Sequence, residues 1–198
     1  VLDGGAIALD ISPADCLTNW HDEIAGDIAI SDNDNEVLKN MVLIKSDGSP
    51  TYNFCTVVDD NDFAIDYIIR GVDHISNTSK QVTLFKLLKA SVPKFAHVGL
   101  ICLANKPLSK RDGAASMLKY RDDGFSPDAM LNFLARMGWG PTEDNKATAT
   151  LSKDKMLELF WKGGKMRSAP SGLDRLKLDS FDRKYKAMVE KNARSNKS

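Results

Sequence analysis

Apolar and polar side chains alternate over residues 6–11 and 27–30, the two-residue period of short, half-buried strands. Between the second of these and Met41, the run Ser31-Asp32-Asn33-Asp34-Asn35 reads as turn or loop, the usual place for short polar side chains. Met41 to Lys45 and Tyr52 to Val58 read as two strands, joined into a hairpin by the turn formers Ser46-Asp47-Gly48-Ser49-Pro50. The character then changes. Tyr67-Ile68-Ile69 is a short apolar run of the kind buried on both faces of a sheet. Asn77 or Thr78 can cap a helix whose apolar positions Val82, Phe85 and Leu88 recur at helical spacing, and Pro93 closes it. His97 to Cys102 is a second apolar run. Strand, helix and strand in that order predict a right-handed parallel crossover, and ligands of such sheets bind beyond the carboxyl ends of the strands. Arg70 to Asp73 and the loop after Cys102 therefore fall at the mouth of a site.

From Ala114 onward the spacing is helical. Ser126-Pro127-Asp128 combines an N-cap, a first-turn proline and an acid that complements the helix dipole. Met130, Phe133, Leu134 and Met137 then form one apolar stripe, which Gly138 ends. Ser152 can cap another helix with Met156, Leu157 and Phe160 inward, and Trp139 and Phe160 read as core. A last helix runs from about Leu173 through Val189, with residues 192–198 frayed.

Composition narrows the class without naming it. The 198 residues, 42% hydrophobic and 27% charged, suit an ordinary soluble globular protein of one compact domain, or one domain with a smaller appendage, and the order of elements makes it a mixed α/β chain. No apolar run approaches the ~18 residues of a membrane span, and the first residues, with Asp3 and Asp10, lack a signal-peptide pattern. Cys16, Cys55 and Cys102 are far apart and odd in number, and no CxxC occurs, so reduced, buried thiols are expected and no metal site. The zero net charge conceals a division. Residues 1–78 hold 15 acidic against 3 basic groups, and residues 79–198 hold 12 against 24. Such a split suits a polyanion meeting the second part, although a solvated basic tail accounts for it equally well.

The chemistry concentrates in Pro107-Leu108-Ser109-Lys110-Arg111-Asp112-Gly113, where two adjacent cations sit in a polar, glycine-containing loop able to swing a lysine onto phosphates. Read singly, Tyr52 is a strand aromatic, Arg70 a structural ion-pair partner at a strand end, and Asp59-Asp60 a strand-end turn. Read together, an ordered series emerges. Ser46-Asp47-Gly48-Ser49-Pro50-Thr51-Tyr52-Asn53-Phe54 is followed by Val57-Val58-Asp59-Asp60, then Ile69-Arg70-Gly71-Val72-Asp73-His74, Asn77-Thr78 and Gln81. Phe95-Ala96-His97, the lysine-containing loop, Tyr120-Arg121, Asn132-Phe133-Leu134 and Gly138-Trp139 complete it.

This series is similar to the bacterial-type glutamyl-tRNA synthetases, which are class I enzymes. The resemblance implies the second half of a Rossmann-like nucleotide-binding fold followed by a helical stem-contact region. Its divisions would be 1–45 as a remnant of an acceptor-binding insertion, 46–113 as the nucleotide-fold half and 114–198 as the stem-contact region. It also implies a glutamate–tRNA ligase that uses ATP with Mg2+, takes glutamate and tRNA as partners, involves no membrane, and resides in the cytoplasm or an organelle. Position by position, Tyr52 and Arg70 match residues that hold glutamate, Arg70 through its planar fork on the side-chain carboxylate. Ser109, Lys110 and Arg111 match the catalytic lysine loop, with Lys110, Leu108 and Asp73 at the ATP. Asp59 and Asp60 fit a pair of family aspartates.

The chain departs from the pattern as well. No His-Ile-Gly-His segment occurs, the histidines being His21, His74 and His97. Pro107 replaces a lysine, Ser180 a tryptophan and Asp182 an asparagine that are common in the family. Alone, the chain is therefore expected to form no adenylate and to need a missing N-terminal half or another protein chain. The rival expectation is a non-catalytic relative serving as an RNA- or protein-binding module.

Overall fold

Trp20 and Asp22 are buried while their neighbours Asn19 and His21 face solvent, so a strand forms where one of the two inward residues is charged. The computed structural model describes residues 5–12, 15–103, 106–108, 116–140, 150–162 and 165–195, in two units, Val1–His97 and Val98–Ser198. The first unit begins with β1 (Ile7–Ala8), then the antiparallel hairpin β2 (Asn19–Asp22) and β3 (Gly26–Ala29). Gly26, at φ +81°, closes the hairpin turn in a backbone region that L side chains rarely adopt.

Helix α1 (Asp32–Lys39) occupies part of the stretch expected to be a turn. Asp32, Asn33 and Glu36 are exposed, Asp32 stands at the amino end of the dipole, Asn35 is half-buried and donates to the Leu17 carbonyl, and Leu38 is fully buried. Next, β4 (Val42–Ile44) pairs antiparallel with β1. The turn at 46–50 forms as expected, with Gly48 at φ +81°, but it leads into helix α2 (Tyr52–Asp62), so there is no hairpin. Aromatic and β-branched residues made 52–58 read as a strand; packing against the next helix, with Val57 fully buried, overrides that preference.

β5 (Tyr67–Gly71) passes through a 3-10 turn, Val72–His74, into α3 (Ile75–Leu87) and then β6 (Lys94–Val98). The helix starts before the expected caps, and Thr78 lies inside it, fully buried. β5 and β6 are neighbours in a four-stranded sheet of order β3-β2-β6-β5. At one end the Lys94 N–H donates to the carbonyl of Asp66, just before β5, and near the other end the side chains of Arg70 and His97 meet, so they run parallel. As the edge strand, β5 leaves Tyr67 and Ile69 exposed and is not buried on both faces. Trp20, Ile30, Val57, Val82, Leu84, Phe85 and Phe95 fill the core between sheet and helices. Each fully buried Phe contributes roughly 1.5–3 kcal/mol by leaving water.

In the second unit, β7 (Ile101–Leu103) and β8 (Lys106–Pro107) form an antiparallel pair. The run expected as one strand from His97 to Cys102 is broken at Gly99, whose N–H bonds the Arg167 carbonyl. The helices α4 (Met117–Asp122) and α5 (Pro127–Gly138) follow, then β9 (Trp139–Gly140), α6 (Lys153–Trp161), β10 (Lys165–Met166) and β11 (Ser171–Gly172). β11 lies parallel to β7, and α7 (Arg175–Ser195) ends the described chain, still helical at 192–195. Tyr120, Ala129, Met130, Phe133, Met137, Leu178, Phe181 and Tyr185 form its main core, and Trp139, Leu151, Met156 and Leu159 a second cluster. Trp139 is core as expected, whereas Leu157 and Phe160 are exposed, since α6 turns Leu159 inward instead. Ser152 accepts the Lys155 N–H as a cap; Ser126 makes no side-chain cap and donates its own N–H to Asp182 at 2.8 Å. The cysteines are unpaired, as expected, but half-buried. Among the described residues, no helix is long and apolar enough to cross a membrane.

Candidate functional site

Arg70 is next to last in β5, and its guanidinium is half-buried over the ring of Phe95, 5.4 Å from the centroid. Its position follows from the crossover: the strand delivers the side chain at the carboxyl end of the sheet, and α3 and β6 wall it in. Nη2 donates to the Thr78 hydroxyl and to Oε1 of Gln81 at 2.6 Å, both on α3. Nε donates to Nε2 of His97 at 3.2 Å. Gln81 donates in turn to Asn53 of α2, and the Thr78 hydroxyl lies 2.9 Å from Nε2 of His97 and 3.0 Å from the His74 carbonyl. Three of the five guanidinium N–H groups are thus committed inward, and among the described residues the two on Nη1 have no hydrogen-bond partner.

His97 is fully buried, and its Nδ1 lies 2.6 Å from Oδ2 of Asp22, also fully buried. Since Arg70 can only donate, Nε2 of His97 must offer a lone pair and Nδ1 must carry the proton that faces Asp22. Burial pushes the Asp22 carboxyl up, but the N–H of Ala25, the His97 ring and the N–H groups of His97 and Ile24 outweigh it and hold it below its ordinary value.

The charges around Arg70 are close but none closes on it. Burial pulls the guanidinium below its ordinary value against the opposing fields of Tyr52, Asp60 and Asp73. Burial pushes the Asp60 carboxyl up, with Arg70 pulling it back and Asp59 adding to the rise. Yet among the described residues no carboxylate forms an ion pair with Arg70, which thus departs from the structural ion pair that a strand-end arginine suggests. A half-desolvated cation with free donors on one nitrogen is built to receive an anion.

Among the residues singled out from the sequence, Tyr52 opens α2 and is exposed, and Asp73 lies in the 3-10 turn with its carboxylate 3.8 Å from His74. Both act electrostatically on Arg70, so the structure brings these three together. Asp59 and Asp60 are on the last turns of α2, where Asp59 accepts the Cys55 thiol, and do not form a strand-end turn. In the second unit, the Leu108 N–H donates to the Ile101 carbonyl at 2.8 Å, extending the β7–β8 pair. Ser109, Lys110 and Arg111 lie outside the described residues. Asp22, Asn53, Thr78, Gln81 and His97 carry the site's scaffold but had no assigned role. Four of them stood inside the motifs already noted; Asp22 had no signal, because one acid in a short strand looks like any other.

The family profile described as "tRNA synthetases class I (E and Q), catalytic domain" matches residues 9–170. The glutamate–tRNA ligase of Francisella philomiragia is 43% identical over 175 residues, covering 88% of this chain and 36% of that relative; the Francisella tularensis subsp. novicida ligase is 42% identical over the same share. The chain thus spans about a third of the length of the relatives it matches. Among solved structures, a glutamate tRNA ligase from Elizabethkingia meningosepticum, in complex with its amino acid, superimposes with a TM-score of 0.68 at 28% identity, covering 84% of this chain and 36% of that one. The glutamate-tRNA synthetase of Elizabethkingia anophelis gives the same values.

Proposed function

The chain belongs to the class I (E and Q) tRNA synthetase catalytic-domain family, and from that premise we propose that it is part of the catalytic core of a glutamate–tRNA ligase in which Arg70 receives a carboxylate of glutamate. The observation that carries this reading is the half-buried Arg70 guanidinium, anchored through Nε and Nη2 by His97, Thr78 and Gln81 and unpaired with any carboxylate among the described residues. Tyr52 and Asp73 act electrostatically on the same cation; Tyr52 would face the amino acid and Asp73 the nucleotide. Ser109, Lys110 and Arg111, following Leu108, would stabilise the phosphate charge of ATP, and tRNA would meet the basic second unit, which carries 20 basic against 12 acidic residues. Among the described residues no three carboxylate, histidine or cysteine side chains gather into a metal cage; Mg2+ would arrive on the nucleotide. The working compartment would be the cytoplasm or an organelle.

The test is a chimaera in which this chain replaces the matching third of the Francisella philomiragia ligase. It should charge tRNA with glutamate. Arg70→Lys keeps the charge but gives up the anchored fork, so the KM for glutamate should rise about 10- to 100-fold, the equivalent of ~1.5–3 kcal/mol for a charged hydrogen bond, with the KM for ATP nearly unchanged. A folded chimaera that forms no glutamyl-tRNA, or an Arg70→Lys variant with unaltered glutamate kinetics, would overturn the assignment.

A further inference from the structure

Asp22 and His97 lie 75 positions apart in sequence, yet both side chains are fully buried and in contact behind Arg70. Oδ1 of Asp22 accepts the N–H groups of Ile24 at 3.0 Å and Ala25 at 2.7 Å, the two that close the β2–β3 turn. Oδ2 faces the His97 ring, and both oxygens lie within 3.2 Å of the His97 backbone N–H. The carboxylate therefore accepts from the turn, from β6 and from the ring, and has no proton to give. A histidine facing such a group places its own proton there, which leaves Nε2 bare. Nε2 is the atom onto which Arg70 donates.

We infer that Asp22 is a positioning residue, which selects the Nδ1–H tautomer of His97 and thereby locks the Arg70 guanidinium with Nη1 turned to the ligand. This inference rests on the proposal that Arg70 holds a carboxylate. With the other tautomer, an N–H on Nε2 would oppose the N–H on Nε of Arg70, and the two donors would repel. The guanidinium would then keep Thr78 and Gln81 as partners on Nη2 alone and would be free to pivot about that nitrogen. The remaining protons fit one pattern: the Thr78 hydroxyl, 2.9 Å from Nε2 and 3.0 Å from the His74 carbonyl, gives its one proton to the bare Nε2 and accepts from Nη2, and Gln81 accepts from Nη2 while donating to Asn53. Trp20 and Phe95 flank the ring, with centroids 5.7 and 6.2 Å away, and leave it little room to turn over.

Asp22→Asn separates the tautomer from the packing. The new amide oxygen stays with the two turn N–H groups, so its NH2 faces His97, and the ring must offer a lone pair at Nδ1 and carry its proton at Nε2. The chain has three histidines, so a sample labelled with 15N at histidine resolves them, with the more exposed His21 and His74 as internal controls. In the unaltered chain, His97 should show a protonated Nδ1 and a bare Nε2, and the Arg70 Nε–H should exchange with water at least tenfold more slowly than in Asp22→Asn. His97→Gln supplies an acceptor oxygen that has no tautomer to choose. In that background, adding Asp22→Asn should alter Arg70 exchange less than about twofold. A role confined to tying β2 to β6 would instead give the same loss in both backgrounds. A wild-type ring protonated at Nε2, a measurement that requires no variant to fold, overturns the inference, as does Arg70 protection that survives Asp22→Asn. In the chimaera, Asp22→Asn should raise the KM for glutamate about tenfold and leave the KM for ATP unchanged. If tautomer and exchange behave as expected but neither Asp22→Asn nor Arg70→Lys alters glutamate kinetics, the positioning role stands and the carboxylate assignment falls.

Discussion

Replacing Asn132 with alanine probes the knot that joins α5 to α7. Asn132 is fully buried; its Nδ2 donates to the Leu151 carbonyl and to the Tyr185 hydroxyl at 2.6 Å, and its Oδ1 accepts the Leu151 N–H at 3.4 Å. Tyr185 also donates to the Leu151 carbonyl, so two helices and the segment before α6 share one set of satisfied polar groups. Burial pushes the Tyr185 phenol up, and the Asn132 hydrogen bond pulls it back. Asn132→Ala leaves the Leu151 N–H without its acceptor, at roughly 1–3 kcal/mol, and opens a small void besides. A total of about 2–4 kcal/mol is expected. Tyr185→Phe, which removes one hydroxyl and keeps the ring, should cost about 1–2 kcal/mol. Because the two side chains touch, the double variant should fall short of the sum by ~1 kcal/mol. Amide hydrogen exchange over α5 and α7 reads these values within the second unit, and α3 in the first unit serves as the control. Additivity within ~0.3 kcal/mol, or a loss confined to α3, would refute the shared network.

Two further perturbations test the second unit. A Cβ on Gly99 would stand 2.0 Å from the Ala169 carbonyl oxygen and 2.6 Å from its carbon, and a backbone cannot rotate aside as a side chain can. Gly99→Ala should therefore destabilise the unit by at least the ~1–3 kcal/mol typical of overpacking and expose residues 165–172 to exchange; unchanged exchange there would show that the segment yields freely. Burial pushes the Asp182 carboxyl up, but the Lys186 ammonium and the Ser126 N–H outweigh it and hold it below its ordinary value. A depressed native carboxyl stabilises the fold above the unfolded value of about 3.9, and that contribution disappears as pH falls through the native value. Asp182→Asn keeps an acceptor for Ser126 and removes the titration, so the loss of urea resistance between about pH 5 and pH 3 should be shallower; an identical slope would exclude Asp182 as its source.

Local chemistry was enough to locate much of this chain. Ser126-Pro127-Asp128 and Gly138 bracket α5 where N-terminal proline and terminal glycine belong, and Ser152 starts α6 as a cap. The strand–helix–strand order around Arg70 determined the crossover, and the crossover determined that Arg70 and Asp73 come together at a strand's carboxyl end. Where the local signal failed, it was weak or two-sided. Residues 52–58 are rich in strand-favouring side chains, and only burial of Val57 against a neighbouring helix decides for α2. Residues 32–39 hold two apolar side chains, the adjacent Val37 and Leu38, so no apolar stripe marks their helix.

The sequence by itself determined which residue types a phosphate- or carboxylate-binding site would draw on, because an arginine after a strand and a lysine in a glycine-containing loop are local facts. Tertiary structure alone decided what Arg70 is anchored to. Its partners come from α3 and β6, and Asp22, which orients His97, comes from a hairpin 75 residues earlier. Hydrogen bonding is short-ranged and directional, so the proton pattern of that network exists only once separate strands and helices have packed. No spacing along the chain encodes the meeting of Asp22 with His97; the sheet order β3-β2-β6-β5 does, by setting β2 beside β6.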